Sequence, residues 1–184
     1  MQKREETKKS RVFTAQKLTI MALMIALSIV LGKYLAINVT TMIRISLENL
    51  PIIISAIALG PIGGGLVALV ADILGCILVG YEINPIVTLG AVSLGVICGL
   101  IYKYTPLLGT VKRLALSVMV AHLIGSVTIK TVGLAAFYLA NYNMGFGTLF
   151  LIRLGTYFVT GTVEALIISL LLKNKAIKKI ITNI

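Results

Sequence analysis

Eight ionisable side chains lie within or at the ends of strongly apolar segments, where each one needs a physical reason. On insertion scales a charged side chain costs about 2.5–3.5 kcal/mol near the centre of a bilayer. Such residues therefore mark either structural ion pairs or a binding site. The eight are Arg44, Glu48, Asp72, Glu82, His122, Lys130, Arg153 and Glu164.

Three of these cations come from different apolar segments and are expected at a similar depth, in the outer half of a membrane. They are Arg44, Lys130 and Arg153, and only Glu48 and Glu82 are expected to oppose them there. Arginine binds carboxylates through two parallel hydrogen bonds, which suits the capture of an anion. The pattern indicates a pocket that is open to the outside and accepts a small anionic ligand.

A purely structural interpretation of the same charges stays open. Glu48 follows Arg44 by four positions, so on one helix the two would neutralise each other. Asp72 could pair with Lys130 as a structural bridge, and His122 could be a core histidine with a partner. The protein would then be a small channel or a helix-packing protein.

The elements that must position these residues are predicted to be membrane spans. Of the 184 residues, 58% are hydrophobic and 12% are charged, and the mean hydropathy is +1.03. An ordinary soluble domain carries about 25% charged residues. Apolar runs broken by Gly, Pro or charge predict an all-α bundle of six transmembrane helices that forms one domain over 1–184. The spans are expected at about 17–36, 45–59, 63–80, 85–102, 113–138 and 148–172.

The basic residues predict the orientation of the bundle. Most of the 17 Lys and Arg residues lie in the N-terminal segment 1–16, in the C-terminal segment 173–184 and in the loop 103–113. Basic clusters beside spans lie on the cytoplasmic side and contact lipid headgroups. We therefore expect both termini in the cytoplasm, and we interpret the net charge of +11 as contact with membrane lipids rather than with nucleic acid.

No enzyme motif is present in the sequence. The glycine-rich stretch 60–65 lacks the lysine of a phosphate-binding loop, and the chain contains no H-E-x-x-H or G-x-S-x-G pattern. A single His and two Cys in apolar runs do not provide a metal site. The expectation is a binding subunit with no catalytic residues, no metal and no cofactor.

Four segments, read in order, resemble the substrate-binding S components of energy-coupling factor (ECF) vitamin transporters, and most closely the folate-type members. They are Arg44-Ile-Ser-Leu-Glu-Asn-Leu-Pro-Ile52, Leu59-Gly-Pro-Ile-Gly-Gly-Gly-Leu-Val67, Leu69-Val-Ala-Asp-Ile-Leu-Gly75 and Gly80-Tyr-Glu-Ile-Asn-Pro-Ile-Val-Thr-Leu-Gly90. Ala22 and Ala26 on the first span resemble the family's A-x-x-x-A motif, which docks on the transmembrane coupling subunit.

The resemblance implies a function in a bacterial plasma membrane. The chain would bind folate from outside and deliver it for uptake driven by a coupling subunit and two ATPase subunits. It also implies roles for individual residues, as expectations. Arg44, Lys130 and Arg153 would hold carboxylates or ring carbonyls, Glu48 would lie among them, Asp72 or Asn84 would accept hydrogen bonds from the pterin, and Tyr81 would stack. The alternatives are another vitamin, such as pantothenate, riboflavin or a queuosine precursor.

Overall fold

The computed structural model describes residues 15–39 and 43–174, and this part of the chain is almost entirely helical. Most of the two predicted basic tails, 1–14 and 175–184, lies outside the described residues. The elements are α1 (Ala15–Ile29) with a π-helical continuation (Val30–Tyr34), β1 (Ile37–Asn38), β2 (Arg44–Ile45), α2 (Asn49–Val79), α3 (Pro85–Tyr104), α4 (Thr110–Ala121), a second π-helical segment (His122–Ile129), α5 (Lys130–Tyr142) and α6 (Phe146–Lys173).

Within residues 15–39 and 43–174, five helical stretches are long and apolar enough to cross a membrane, where the sequence predicted six. Their outward faces carry large apolar side chains, as on α6, where Leu151 and Phe158 are about two-thirds exposed. Apolar surface of this extent fits lipid as the surrounding solvent. The five stretches are Ala15–Tyr34, Asn49–Val79, Pro85–Tyr104, Thr110–Tyr142 and Phe146–Lys173.

Helix α2 folds back on itself at Gly60, which accounts for the difference in number. Gly60 has φ 81° and ψ −177°, a conformation essentially reserved for glycine. A Cβ placed on Gly64 would lie 2.6 Å from the Cβ of Ala56, whereas eight residues of straight helix span about 12 Å. The turn predicted at 60–65 is therefore present, and within it only Gly60 has a positive φ. It divides α2 into a first half (49–59) and a second half (61–79) that pack together.

The core forms where both halves of α2 pack against α3. Gly64 and Gly95 lie so close that a Cβ on Gly95 would approach the carbonyl oxygen of Gly64 to 2.5 Å. Ile53, Val67 and Leu94 are fully buried around this contact. Small residues at a helix crossing let the backbones approach, which is a common way to pack helices in membranes.

A short antiparallel hairpin, β1 paired with β2, joins α1 to α2 and corrects two predictions. Ile37 pairs with Ile45 and Asn38 with Arg44, so the chain is not purely α-helical. Helix α2 begins at Asn49 rather than near 45. Arg44 and Glu48 thus share no helical face, and the proposed neutralisation through helical spacing does not apply.

Candidate functional site

A polar cleft opens among α1, the two halves of α2, α3 and α5. Both cations and carboxylates reach it from helices that are distant in the sequence, so the fold brings these groups together. The lining residues are Ser28, Ile29, Lys33, Glu48, Asn49, Ile52, Ala68, Ala71, Asp72, Ala91 and Lys130.

Glu48 and Lys130 form an ion pair in this cleft, with 3.3 Å between Oε1 and Nζ. The Lys130 side chain is 6% exposed and that of Glu48 is 24% exposed. Burial opposes ionisation of Glu48, but the positive charges of Lys130, Lys33 and Arg44 outweigh it, so the pKa of Glu48 lies below its ordinary value. Lys130 therefore pairs with Glu48 and not with Asp72, the partner considered from the sequence.

Asp72 lines the cleft from the second half of α2. Its Oδ2 accepts a hydrogen bond of 2.6 Å from the hydroxyl of Thr88, a buried residue of α3. This bond joins the two helices and fixes the orientation of the carboxylate. Asp72 thus lies in the cleft with one oxygen bonded to Thr88, and its contact with a ligand stays a prediction.

Lys33 is a second cation of the cleft. Its Nζ lies 3.9 Å from Sγ of Cys76 and 5.7 Å from the ring centre of Tyr81. Tyr81 is more than half exposed and does not line the cleft. Its predicted stacking on a ligand stays a prediction, and its observed contact is with Lys33.

Three glycines make room for the charged side chains of the cleft. A Cβ on Gly32 would lie 2.7 Å from Cβ of Glu48, and one on Gly75 would lie 2.8 Å from Cε of Lys33. A Cβ on Gly90 would lie 2.6 Å from Cγ of Lys130. Each charged side chain thus packs against a neighbouring helix at a position that lacks a side chain.

Two of the three cations expected together lie outside the cleft lining. Arg44 donates from Nη2 to the carbonyl oxygen of Gly32, beside Glu48. Arg153 on α6 donates from Nη2 to the carbonyl oxygen of Ser126 at 3.0 Å and to the hydroxyl of Tyr157 at 3.3 Å. In both arginines the buried Nε makes no hydrogen bond within the described residues. Their roles toward a ligand stay predictions.

Asn84 caps helix α3, and both the oxygen and the nitrogen of its amide make hydrogen bonds. Its Oδ1 accepts from the backbone N–H groups of Ile86 and Val87, and its Nδ2 donates to the carbonyl oxygen of Gly133 at 2.8 Å. These bonds hold the start of α3 against α5. The geometry gives Asn84 a structural role, and a direct contact with ligand stays a prediction.

Asn49 and Ser28 line the cleft but were missed by sequence reasoning. Asn49 is the first residue of α2 and is 1% exposed. Ser28 is also buried and donates its hydroxyl to the carbonyl oxygen of Glu48 at 2.7 Å. In the sequence, Asn49 directly follows Glu48 at the start of an apolar run. A polar residue at such a position resembles an ordinary helix cap, so the sequence offered no clear sign of a place in the cleft.

A second buried polar pair lies deeper in the bundle. Nε2 of His122 and Oε2 of Glu164 are 2.7 Å apart, and both residues are at most 2% exposed. The His122 ring also stacks on Tyr157, with 5.5 Å between ring centres. The interpretation of His122 as a core histidine with a partner fits this geometry.

Ala22 and Ala26 both lie on the exposed face of α1. Leu23, between them, is 62% exposed. A flat apolar strip of this kind faces lipid or another helix. The structure thus leaves the predicted docking motif accessible.

Metal binding finds no support in the described residues, 15–39 and 43–174. There, no group of three or more His, Cys, Asp or Glu side chains is positioned to hold an ion. The thiols of Cys76 and Cys98 are free and buried.

Apolar helices around a polar cleft are typical of a multi-pass membrane protein. The comparisons with known proteins specify the class. Residues 16–173 match the family model of the ECF transporter, substrate-specific component. The chain belongs to this family, whose members are substrate-binding subunits of transporters and not enzymes.

Solved structures show the same fold. The crystal structure of FolT bound with folic acid has a TM-score of 0.68 and 22% identity, and covers 85% of this chain and 90% of FolT. The structure of the S component of a bacterial ECF transporter has a TM-score of 0.68 and 20% identity, and the match covers 88% of this chain and 96% of that S component. The structure of ThiT from Listeria monocytogenes has a TM-score of 0.67 and 21% identity, and the match covers 88% of this chain and 96% of ThiT. No curated protein matches the chain.

Proposed function

We propose that this protein captures a small vitamin from outside a bacterial plasma membrane, with folate as the first candidate. The observation that carries the proposal is the cleft in which Lys33, Lys130, Glu48 and Asp72 meet. A ligand with an anionic group and hydrogen-bond donors would find complementary groups there. Similarity to FolT, solved with folic acid, supports folate, while equal similarity to ThiT keeps another vitamin as the second candidate.

The proposal includes a topology of six spans with both termini in the cytoplasm. The reversal at Gly60 supports it, because the chain then changes direction within α2. The basic residues near both ends of the chain support the orientation. Membrane-impermeant thiol labelling of single cysteines at Lys103 and Asn141, in a variant lacking Cys76 and Cys98, tests this topology. We expect labelling of intact cells at position 141 only.

Uptake would require other chains. We propose that Ala22 and Ala26 dock on a transmembrane coupling subunit, which works with two ATPase subunits, and that this chain itself needs no cofactor and functions as one domain over 1–184. The exposed strip on α1 supports this assignment. Contacts of the chain with its surroundings would otherwise be with lipid, not with nucleic acid.

Calorimetric titration of the detergent-purified protein tests the ligand. The chain has no Trp, so tryptophan quenching is not usable. Folic acid, riboflavin and pantothenate are titrated separately, and one-to-one nanomolar binding of folic acid alone is expected. Tight binding of another vitamin instead would discard folate and keep the transport function. Silence with all three would point to a different vitamin, because membership of the family does not depend on these ligands.

A further inference from the structure

The amide of Asn49 is a polar group of the cleft whose acceptor has no protein partner. Asn49 is 1% exposed and lines the cleft, and its Oδ1 accepts no hydrogen bond from any described residue. A buried acceptor without a donor is unfavourable by about 1–3 kcal/mol. A ligand that supplies an N–H or O–H group there would remove this cost on binding.

Several neighbouring polar atoms of the cleft already have protein partners. Oε1 of Glu48 accepts from Lys130, and Oδ2 of Asp72 accepts from Thr88. The hydroxyl of Ser28 donates to the backbone of Glu48. These bonds hold the walls of the cleft in place, whereas the Asn49 acceptor is left for a molecule that enters it.

An asparagine side chain presents one acceptor and two donors in a plane. A flat nitrogen heterocycle whose edge carries a donor next to an acceptor is the complement of this group, as in the two-bond pairing of asparagine with adenine. We propose that Asn49 is a specificity-determining residue that reads such an edge, so that the substrate is a planar nitrogen heterocycle. This inference rests on the proposed function, because it assigns a ligand class to the same cleft.

The experiment compares two variants of similar size to Asn49. Asn49→Leu removes both polar atoms, and Asn49→Asp leaves acceptors only. Asn141→Leu is the matched control, because Asn141 is exposed on α5 and its amide donates to the carbonyl oxygen of Phe137, away from the cleft. Each protein is titrated with folic acid, the 4-amino analogue of folic acid, riboflavin and pantothenate.

Asn49→Leu should weaken binding of a heterocyclic ligand about tenfold or more, from the loss of a hydrogen bond in a buried site. Asn141→Leu should leave it unchanged. Asn49→Asp should shift the ratio of the affinities for folic acid and its 4-amino analogue in favour of the analogue. The analogue carries an amino donor where folic acid carries a ring carbonyl, and the aspartate offers only acceptors. This ratio does not depend on the fraction of folded protein, so it remains informative if Asn49→Leu folds poorly.

The outcomes separate this inference from the folate assignment. Unchanged affinities and an unchanged ratio in both Asn49 variants would overturn the role of Asn49 while folate binding stands. If the wild-type protein binds riboflavin alone, and Asn49→Leu binds riboflavin more weakly, the result would support the role of Asn49 and discard folate. Binding of pantothenate alone, which contains no nitrogen heterocycle, would overturn the ligand class. Absence of all binding would count against both proposals.

Discussion

Glu48 and Lys130 lie 82 positions apart in the chain, and their side chains meet with 3.3 Å between Oε1 and Nζ. The pair joins the start of α2 to the start of α5. Because Lys130 is buried, loss of Glu48 leaves its charge without compensation, and loss of Lys130 removes from Glu48 its hydrogen-bonded partner.

We expect Lys130→Met and Glu48→Gln each to destabilise the protein, by about 3 kcal/mol on the scale of broken buried pairs. The double variant should be less destabilised than the sum of the two, since no charge is left unpaired. Thermal unfolding in detergent measures both. If the pair also binds ligand, the double variant will recover stability without recovering affinity. Additive losses in the double variant would contradict the pairing.

Gly60→Ala should destabilise the reversal of α2. A non-glycine residue at φ 81° and ψ −177° carries strain of about 1–3 kcal/mol. Nothing lies within 4 Å of an added Cβ there, so the effect isolates the backbone conformation. Gly145→Ala is the matched control, because Gly145 has equal space but an ordinary φ of −68°. Equal melting temperatures for the two variants would argue against a strained turn.

Glu164→Leu should lower stability without changing ligand affinity. It leaves Nε2 of His122 buried without a partner, at a cost of about 1–3 kcal/mol, and neither residue lines the cleft. Glu164→Gln retains an acceptor of the same reach and should remain near wild type. Melting temperature and calorimetric affinity are measured side by side. A large loss of affinity in folded Glu164→Leu would place this pair in the binding site.

Ala22→Trp or Ala26→Trp should abolish association with the coupling and ATPase subunits while ligand affinity is retained. A bulky side chain would keep a second helix from approaching the exposed strip of α1. Co-purification with the ATPase subunits measures the association. Leu166→Trp on the exposed face of α6 serves as the control for added bulk. Recovery of the full complex from both alanine variants would exclude this docking site.

The sequence predicted features that depend on local patterns. Gly60 and Pro61 predicted the reversal within α2, and Asn143 lies in the loop predicted at 141–147, where it adopts φ 51°. Apolar runs of sufficient length predicted the spans to within a few residues. These features follow from backbone chemistry and hydropathy, which neighbouring residues determine.

The pairing of charges could not be predicted in the same way. Glu48 meets Lys130 because α2 and α5 approach in space, and no local pattern encodes that distance. The short hairpin that contains Arg44 was missed because two-residue strands leave almost no periodic signal. Asn49 was missed because a polar residue before an apolar run is usually a helix end, and only its burial distinguishes it.

The length of the first half of α2 has a consequence for biosynthesis. Residues 49–59 form a helix about 16 Å long at about 1.5 Å per residue, roughly half the thickness of a bilayer core. A nascent chain that stopped there would leave unpaired backbone groups in the hydrocarbon. In the proposed topology residues 49–79 would therefore enter the membrane together as a helical hairpin, and the start of α2 would depend on residues that are synthesised after it.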